Sequence, residues 1–212
     1  MAKAKTSFVC QECGGVSTRW QGKCPHCGSW NTMHEFVEKP AAQAQNRFAH
    51  LAASAPVRSL AQIETAEIPR ISTGMGELDR VLGGGLVSGG VVLIGGDPGI
   101  GKSTLLLQAL TNLSQHTPVL YVTGEESAEQ VAMRAHRLEL DTTNVKLLAE
   151  IQLESIQQGL EQEQPKICVI DSIQTLFSGE LSAAPGSVSQ VRECAAQLTR
   201  LAKQKGICIV MI

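Results

Sequence analysis

Three features are scarce in this sequence: aromatic side chains, excess charge of either sign, and long apolar runs. Phe, Trp and Tyr make up 3% of the 212 residues, so few large rings are available to fill a core. Lys and Arg number 18 against 20 Asp and Glu, which excludes a protein that coats nucleic acid by bulk charge alone. The uncharged run from Val81 to Gly96 has 16 residues, of which 7 are glycine, and is too short and too glycine-rich for a transmembrane helix.

The first residues of the chain also lack a targeting pattern. The stretch from Met1 to Cys13 contains two lysines but no apolar segment, so no secretory signal is predicted. We therefore expect a cytoplasmic protein with reduced cysteines and no membrane partner. Glycine, in contrast, is abundant with 20 residues, which gives the backbone many places to turn tightly or to approach a ligand.

Cysteines are present in an uneven pattern. Four of the seven form the pairs Cys10-x-x-Cys13 and Cys24-x-x-Cys27, and each second cysteine is followed by glycine. Four thiolates at this spacing are typical of a tetrahedral zinc site, and glycine permits the positive φ that points backbone N–H groups at sulfur. Two disulfides or a redox pair are the alternatives. Because four sulfurs close the coordination sphere, we expect a structural zinc that stabilises a module too small to fold by its core.

Both tryptophans of the chain lie in the same module. We expect Trp20 and Trp30 to pack over the metal site, and stacking of an exposed indole on a nucleic-acid base is the alternative. His26 could replace one cysteine as a ligand.

Composition divides the chain into three segments. Residues 1–38 hold the cysteine pairs and are predicted to be a four-cysteine zinc ribbon. Residues 39–67 are rich in Ala, Gln and Ser, which predicts a flexible linker. Residues 68–212 alternate apolar strands with amphipathic helices and are predicted to form the main domain.

The main domain has the pattern of an α/β fold. Its strands are apolar along their whole length, which indicates a parallel sheet covered by helices on both faces. The last strand, 207–212, is rich in β-branched residues and is expected to be central. The predicted strands are 90–95, 119–123, 145–148, 167–170 and 207–212, and the predicted helices are 103–114, 128–138, 151–162 and 188–205.

A phosphate-binding loop is predicted between the first of these strands and the first helix. The run Gly96-Asp97-Pro98-Gly99-Ile100-Gly101-Lys102-Ser103, followed by Thr104, fits the pattern G-x-x-x-x-G-K-[ST]. Its glycines let consecutive N–H groups curl around a phosphate at the N-terminus of the helix. Lys102 would reach the β- and γ-phosphates of ATP, and the Ser103 hydroxyl would ligate Mg²⁺.

Carboxylates at strand ends complete the candidate site. Asp171 ends an apolar strand that we expect to neighbour the phosphate-loop strand, and it is our candidate for the second Mg²⁺-holding group; a helix cap is the alternative. Glu125 and Glu126 follow the strand at 119–123, which we expect to lie beside the phosphate-loop strand. We predict that Glu125 activates the attacking water and that Glu126 supports it. The alternative is that both complement a helix dipole.

With these residues in place, the chain resembles the bacterial RadA/Sms DNA-repair ATPases, a branch of the RecA superfamily. The resemblance covers nearly every segment except the linker. It is carried by the motifs CQECG, RWQGKCPHCGSWNT, RISTGMGELDRVLGGGLVSGG, GGDPGIGKST, YVTGEES, IDSIQT and APGSVSQVRE.

The resemblance implies a RecA-like core that hydrolyses ATP while assembled as a ring or filament on single-stranded and branched DNA, and that drives branch migration. Recombinase or replication proteins are the implied partners, and ATP, Mg²⁺ and Zn²⁺ the implied cofactors. By motif position, Lys102 and Ser103 contact phosphate and magnesium, Asp171 is the second acidic motif, and Glu125 is the water-activating glutamate.

The resemblance also places a DNA-facing loop at Ser178 to Ser189. That loop contains no basic residue. The nearest positive charges belong to the following helix and are Arg192, Arg200, Lys203 and Lys205. For the last three of these, a solvated helix face is the alternative explanation.

Two other functions remain open from the sequence. A RecA-like kinase or signalling ATPase would use the same loop and glutamates, although the zinc ribbon argues against it. A non-hydrolysing adaptor would use the ribbon for docking and nucleotide as a folding ligand. Because the resembled family continues past the fifth strand, we expect a C-terminally truncated member with an incomplete core.

Overall fold

The computed structural model describes residues 6–37, 59 and 69–212. The chain divides into two compact units, Met1–Glu67 and Ile68–Ile212. The predicted linker at 39–67 lies outside the described residues apart from Ser59, so the predicted domain boundaries stay predictions.

The first unit is a small antiparallel sheet around the cysteine pairs. Its strands are β1 (Thr6–Cys10), β2 (Val16–Ser17) and β3 (Met33–Val37), in the order β2-β1-β3. Only Cys10, Cys24 and Met33 are buried hydrophobics among its described residues. A core this small cannot offset the entropy of ordering the chain, so a further stabilising element is required.

The second unit is a five-stranded parallel sheet flanked by helices, as the sequence predicts. The strands are β6 (Val91–Leu93), β7 (Val119–Thr123), β8 (Val145–Ala149), β9 (Ile167–Asp171) and β10 (Cys208–Met211). Their order in the sheet is β6-β10-β9-β7-β8. The helices beside them are α2 (Lys102–Ser114), α3 (Ala128–Arg137), α4 (Leu153–Glu163) and α5 (Val188–Lys205).

Two apolar layers cover the two faces of this sheet. One face packs against α4 and α5 through residues such as Leu160 and Leu198, and the other packs against α2 and α3 through residues such as Leu107 and Val131. On α5, Leu198 and Ala202 are fully buried against the sheet. Strands that are apolar throughout are therefore explained by burial on both sides.

The strand order differs from one sequence-based expectation. Neither the strand that precedes Glu125 nor the strand that ends at Asp171 lies beside the phosphate-loop strand β6, because β10 pairs with β6 on one side and with β9 on the other. The expected neighbour relation is therefore wrong, whereas the interior position of β10 is confirmed. An apolar strand has the same composition whichever strand it pairs with, so its order could not be derived from the pattern.

Three short elements were not expected from the sequence. A two-stranded antiparallel pair, β4 (Arg70–Ile71) and β5 (Leu86–Val87), encloses the helix α1 (Gly76–Val81). Asp79 of α1 accepts hydrogen bonds from the Ser72 and Thr73 hydroxyls at 2.6 and 2.8 Å.

Among the helices of the described ranges, none combines the length and hydropathy that crossing a membrane needs.

Candidate functional site

The predicted phosphate loop connects β6 to α2 at the carboxyl edge of the sheet. Helix α2 begins at Lys102, directly after Gly101, which has φ 100°. At Gly99 and Gly101 an added Cβ would meet nothing within 4 Å, so glycine is needed there for its positive φ and not for space. The first turn of α2 contains no acidic residue, which leaves its N–H groups and positive dipole end for an anion.

The Lys102 side chain folds back over this loop. Its ammonium donates to the carbonyl oxygens of Gly96 at 2.8 Å and Asp97 at 2.9 Å. An ammonium has three donors, so the third can reach a phosphate oxygen while the other two fix the loop. Lys102 therefore lies where a phosphate would meet both its charge and the helix N-terminus.

Asp171 lies at the end of β9, at the same edge of the sheet as the phosphate loop. Its side chain is buried, with 5% exposure. Because neighbouring strands lie about 4.8 Å apart and β10 intervenes, β6 and β9 are about 10 Å apart. The hydroxyl of Ser103 and the carboxylate of Asp171 are the hard oxygen donors that Mg²⁺ prefers, so the donor set fits this ion.

A buried network that the sequence did not reveal holds the Asp171 carboxylate. Tyr121, on β7, donates its hydroxyl to Asp171 Oδ2, and Arg134 Nη2 donates to the Tyr121 hydroxyl at 3.0 Å. Burial and the charge of Asp171 raise the pKa of Tyr121, so the hydroxyl stays protonated and remains a donor.

Two features of the sequence could have indicated this network. Tyr121 is the single tyrosine of the chain and lies within an apolar strand, where a hydroxyl needs a partner. Arg134 follows the buried Val131 by three residues on α3 and therefore shares its inward face.

The two adjacent glutamates are separated by the fold. Glu125 accepts a hydrogen bond from the Ser172 hydroxyl, directly beyond the strand end that carries Asp171. Glu126 instead pairs with Arg134, with 2.9 Å between Oε2 and Nη1. Glu125 is exposed and Glu126 is half-buried, so only Glu125 faces outward beside the strand end.

The helix-dipole alternative is disfavoured by the start of α3. That helix begins at Ala128, in agreement with the predicted start at 128, so both glutamates precede it. Its N-cap is Ser127, whose hydroxyl accepts from the Gln130 N–H while Gln130 Oε1 accepts from the Ser127 N–H at 2.8 Å. Capping is thus supplied by Ser127 and Gln130, which leaves Glu125 to its contact with Ser172.

The loop after β9, expected to face DNA, is organised by one buried glutamine. Gln190 is 1% exposed. Its Oε1 accepts from the Ser178 N–H at 2.8 Å, and its Nε2 donates to the carbonyls of Ser178 and Ala183 at 3.2 and 2.9 Å. Glu154 on α4 accepts from the Ser178 hydroxyl at 2.7 Å. The loop is therefore fixed at its start by side chains of α4 and α5.

The basic residues near this loop differ in their partners. Arg192, Lys203 and Lys205 are exposed, and Lys205 pairs with Glu161 at 3.1 Å. This pair matches the solvated-face alternative for Lys205.

The four cysteines of the first unit converge as the spacing predicts. Their four Sγ atoms all lie within 4.8 Å of one another. Cys10 and Cys27 are 3.7 Å apart, and Cys13 and Cys24 are 3.6 Å apart. Four sulfurs around a zinc with Zn–S bonds of about 2.3 Å would be about 3.8 Å apart, so the cluster fits tetrahedral zinc.

Two equivalent turns present these sulfurs. The Gly14 N–H donates to the Cys10 carbonyl and the Gly28 N–H to the Cys24 carbonyl, both at 2.9 Å, and both glycines have positive φ, 70° and 77°. The predicted role of the glycines is confirmed for φ. The N–H groups that point at sulfur, however, are not those of these glycines. The Gly15 N–H donates to Cys13 Sγ, and the His26 N–H donates to Cys24 Sγ.

The pKa values of Cys10 and Cys13 are shifted in opposite directions. Burial raises the pKa of Cys10, but hydrogen bonds with the Thr32 hydroxyl and with backbone groups outweigh it and lower the pKa to about 6. The Gly15 N–H lowers the pKa of Cys13, but burial and the neighbouring thiols outweigh it and raise the pKa to about 12. Thiolates this close repel one another, so only a cation can hold all four ionised.

The tryptophans do not pack over the cysteine cluster. Trp20 is 60% exposed and Trp30 is 69% exposed, so the expectation that they cover the metal site is wrong. The cluster is instead closed by backbone turns and by Met33, Thr32 and Ser29.

Family models match both units of the chain. A model described as a KaiC ATPase matches residues 71–159, and a model described as a rubredoxin metal binding domain matches residues 8–35. The RecA-like ATPase fold and the four-cysteine zinc ribbon expected from the sequence are thereby confirmed.

Whole-chain relatives are DNA repair proteins. The chain is 53% identical to the DNA repair protein RadA of Pseudomonas aeruginosa, over 100% of the chain and 47% of the relative. It is 53% identical to the protein of that name from Escherichia coli and 49% identical to that from Bacillus subtilis, with the same shares covered. The chain thus spans about half the length of the curated relatives it matches.

Proposed function

The chain belongs to the family of the RadA DNA repair proteins, and on that premise we propose that it is an ATP-dependent DNA translocase. In this proposal DNA stimulates ATP hydrolysis, which drives branch migration of recombination intermediates. The observation that carries the hydrolytic part is the Ser172 hydroxyl, which joins Glu125 to the strand end that bears Asp171. A water-activating carboxylate, a metal-holding carboxylate and a phosphate loop then share one edge of the sheet.

Each residue of the site has a distinct part in the proposal. The N–H groups of the loop from Gly96 to Thr104 bind the phosphates, and Lys102 neutralises their charge. Ser103 and Asp171 would hold Mg²⁺, which would neutralise the negative charge of the phosphates. Glu125 orients and deprotonates the attacking water, and Ser172 positions Glu125 by its hydrogen bond.

The ribbon has a structural part in the same proposal. Cys10, Cys13, Cys24 and Cys27 would hold one zinc ion with no open position, so the metal folds the module and does no chemistry. The family premise further suggests single-stranded and branched DNA as ligands, recombinase or replication proteins as partners, assembly into a homo-oligomeric ring, and a cytoplasmic location.

The decisive experiment measures ATP hydrolysis by the chain with and without single-stranded DNA. Stimulation by DNA is expected. Hydrolysis that ignores DNA would instead favour a RecA-like kinase or signalling ATPase, and nucleotide binding without hydrolysis would favour the adaptor.

Two substitutions assign the residues within that assay. Lys102→Ala should abolish ATP binding, whereas Glu125→Gln should retain binding and remove turnover. Glu129→Gln, an exposed carboxylate in the first turn of α3, is the matched control and should keep turnover. Equal loss of binding and turnover in Glu125→Gln would reassign Glu125 to a structural role.

A further inference from the structure

The largest exposed side chains of the zinc ribbon are its two tryptophans. Trp30 is 69% exposed and Trp20 is 60% exposed. Indole rings are among the most favourable groups to bury, so an exposed pair on a small module is typical of a binding surface.

Local hydrogen bonds fix the backbone on which both rings are carried. Trp30 forms a bridge with Lys23, next to the Cys24 turn, and the Asn31 N–H donates to the Gly22 carbonyl at 2.7 Å. The chain before Trp20 is fixed by Ser17, whose hydroxyl donates to the Arg19 carbonyl at 2.8 Å. The backbone of Trp30 is therefore tied to the Cys24 turn, and the segment before Trp20 is fixed locally.

The two rings lie beside one another across a glycine. A Cβ built on Gly22 would lie 3.8 Å from Trp20 Cη2 and 3.8 Å from Trp30 Cζ3. Both indoles therefore flank a residue that has no side chain. We name Trp20, Gly22 and Trp30 the indole platform.

Two exposed basic residues accompany the indole platform in the sequence, and one of them lies over an indole ring. Arg19 and Lys23 are both exposed, and Lys23 Nζ lies 5.7 Å from the Trp30 ring centroid. The sequence from Cys13 to His34 contains no Asp or Glu. Residues 68–212, in contrast, carry 11 basic and 15 acidic side chains, a net charge of −4. The ribbon therefore attracts a polyanion better than the bulk of the ATPase unit does.

We propose that the indole platform binds single-stranded DNA, with bases stacked on Trp20 and Trp30 and phosphates paired with Arg19 and Lys23. Flat apolar rings next to cations match the alternation of base and phosphate along a single strand. In a duplex the base faces are already stacked on one another, so they cannot reach the indoles. The inference rests on the proposed function in taking DNA as the ligand, and it adds where the strand is held.

Tryptophan fluorescence of the full chain tests the proposal directly. Trp20 and Trp30 are the only tryptophans of the sequence, so their emission reports on the platform alone. Titration with an oligothymidine single strand should quench the emission, and a duplex of equal length should quench it less. Quenching that is equal for both DNA forms, or absent, would overturn the proposal.

Substitutions separate stacking from other contacts. Trp30→Ala should weaken binding of a labelled oligothymidine, measured by anisotropy, by roughly tenfold, because loss of one base stack costs about 1–3 kcal/mol. Trp30→Phe should restore most of the affinity, whereas Trp30→Leu should not. Val16→Ala removes a side chain of similar exposure, 59%, and should leave affinity unchanged.

The charged residues have a separate expected effect. Replacing both Arg19 and Lys23 with alanine should make the salt dependence of binding less steep by about 0.7 per lost phosphate contact. Zinc content of about one equivalent in every variant shows that the ribbon is folded. Zinc-loaded tryptophan variants that bind single-stranded DNA as tightly as the parent would overturn the platform and leave it as a protein-docking surface.

The outcome is distinguishable from that of the proposed function. DNA-stimulated ATP hydrolysis without quenching would overturn the platform alone. Platform-dependent DNA binding by a chain that hydrolyses no ATP would support the platform and overturn the translocase.

Discussion

The ribbon buries three hydrophobic side chains among its described residues, whereas the ATPase unit buries a continuous apolar layer on each face of a parallel sheet. The ribbon instead brings four sulfurs within 4.8 Å of one another. Stability in the ATPase unit thus comes from apolar area, while in the ribbon it must come from metal–sulfur bonds. Chelation of zinc should therefore unfold the ribbon, whereas truncation of core side chains should destabilise the ATPase unit.

Chelation should give the largest effect. Structural zinc contributes an apparent binding free energy of about 10–16 kcal/mol in small zinc modules, and the ribbon has no core to replace it. Removing zinc with a chelator should therefore unfold residues 6–37 and leave the ATPase unit folded. Hydrogen exchange resolved by peptide should show loss of protection in the ribbon alone. Protection that persists in the metal-free ribbon would contradict the comparison.

Truncation of a core leucine should give the opposite pattern. Leu107 of α2 is 1% exposed, and Leu107→Ala should lower the free energy of unfolding of the ATPase unit by about 2–5 kcal/mol. Denaturant unfolding followed by circular dichroism measures the loss, and zinc content should not change. Met133→Ala, at a side chain that is 65% exposed, is the control and should shift stability by at most about 0.5 kcal/mol.

Removal of the Tyr121 hydroxyl should have a smaller effect on folding. Tyr121→Phe takes one partner from Asp171 and one from Arg134 in a buried network, which should cost about 1–3 kcal/mol of the stability of the ATPase unit. Because Asp171 would lose its fixed orientation, the Mg²⁺ concentration needed for half-maximal nucleotide binding should rise. Fluorescent-nucleotide titration at several Mg²⁺ concentrations measures this shift. An unchanged Mg²⁺ requirement would limit Tyr121 to a role in stability.

The smallest effect is expected at the start of α3. Ser127→Ala removes a capping hydroxyl and should lower the stability of the ATPase unit by about 1 kcal/mol. Ser127→Gly should cost only a few tenths of that, since glycine is itself tolerated at the N-cap. Denaturant unfolding of the ATPase unit measures both losses. A Ser127→Ala loss as large as that of Leu107→Ala would show that Ser127 does more than cap the helix.

Much of the ATPase unit could be predicted because its information is local. The five strands and four helices follow from apolar periodicity, and their ends fall within a few residues of the predicted ones. The glycines at 99 and 101 and the start of α2 at Lys102 follow from the phosphate-loop pattern, since positive φ and helix N-termini are properties of adjacent residues. The cysteine cluster is likewise encoded by spacing within two short turns.

Other features depend on contacts between residues far apart in the chain. Strand β10 lies between β6 and β9, and no local pattern indicates which strands pair. The link from Tyr121 to Asp171 spans 50 residues, and Ser172 reaches Glu125 across 47. The exposure of Trp20 and Trp30 was also missed, because composition predicts burial of indoles unless the size of the available core is known.

The sequence alone therefore determined which groups exist: a phosphate loop, strand-end carboxylates and four thiols at zinc-ligand spacing. Tertiary structure decided how they are used. It turned Glu126 toward Arg134 and Glu125 toward Ser172, and it left both indoles in solvent beside Arg19 and Lys23. The reason is physical, since φ preferences and helix starts are set by near neighbours, whereas the orientation of a carboxylate or the burial of a ring is set by whatever the folded chain brings beside it.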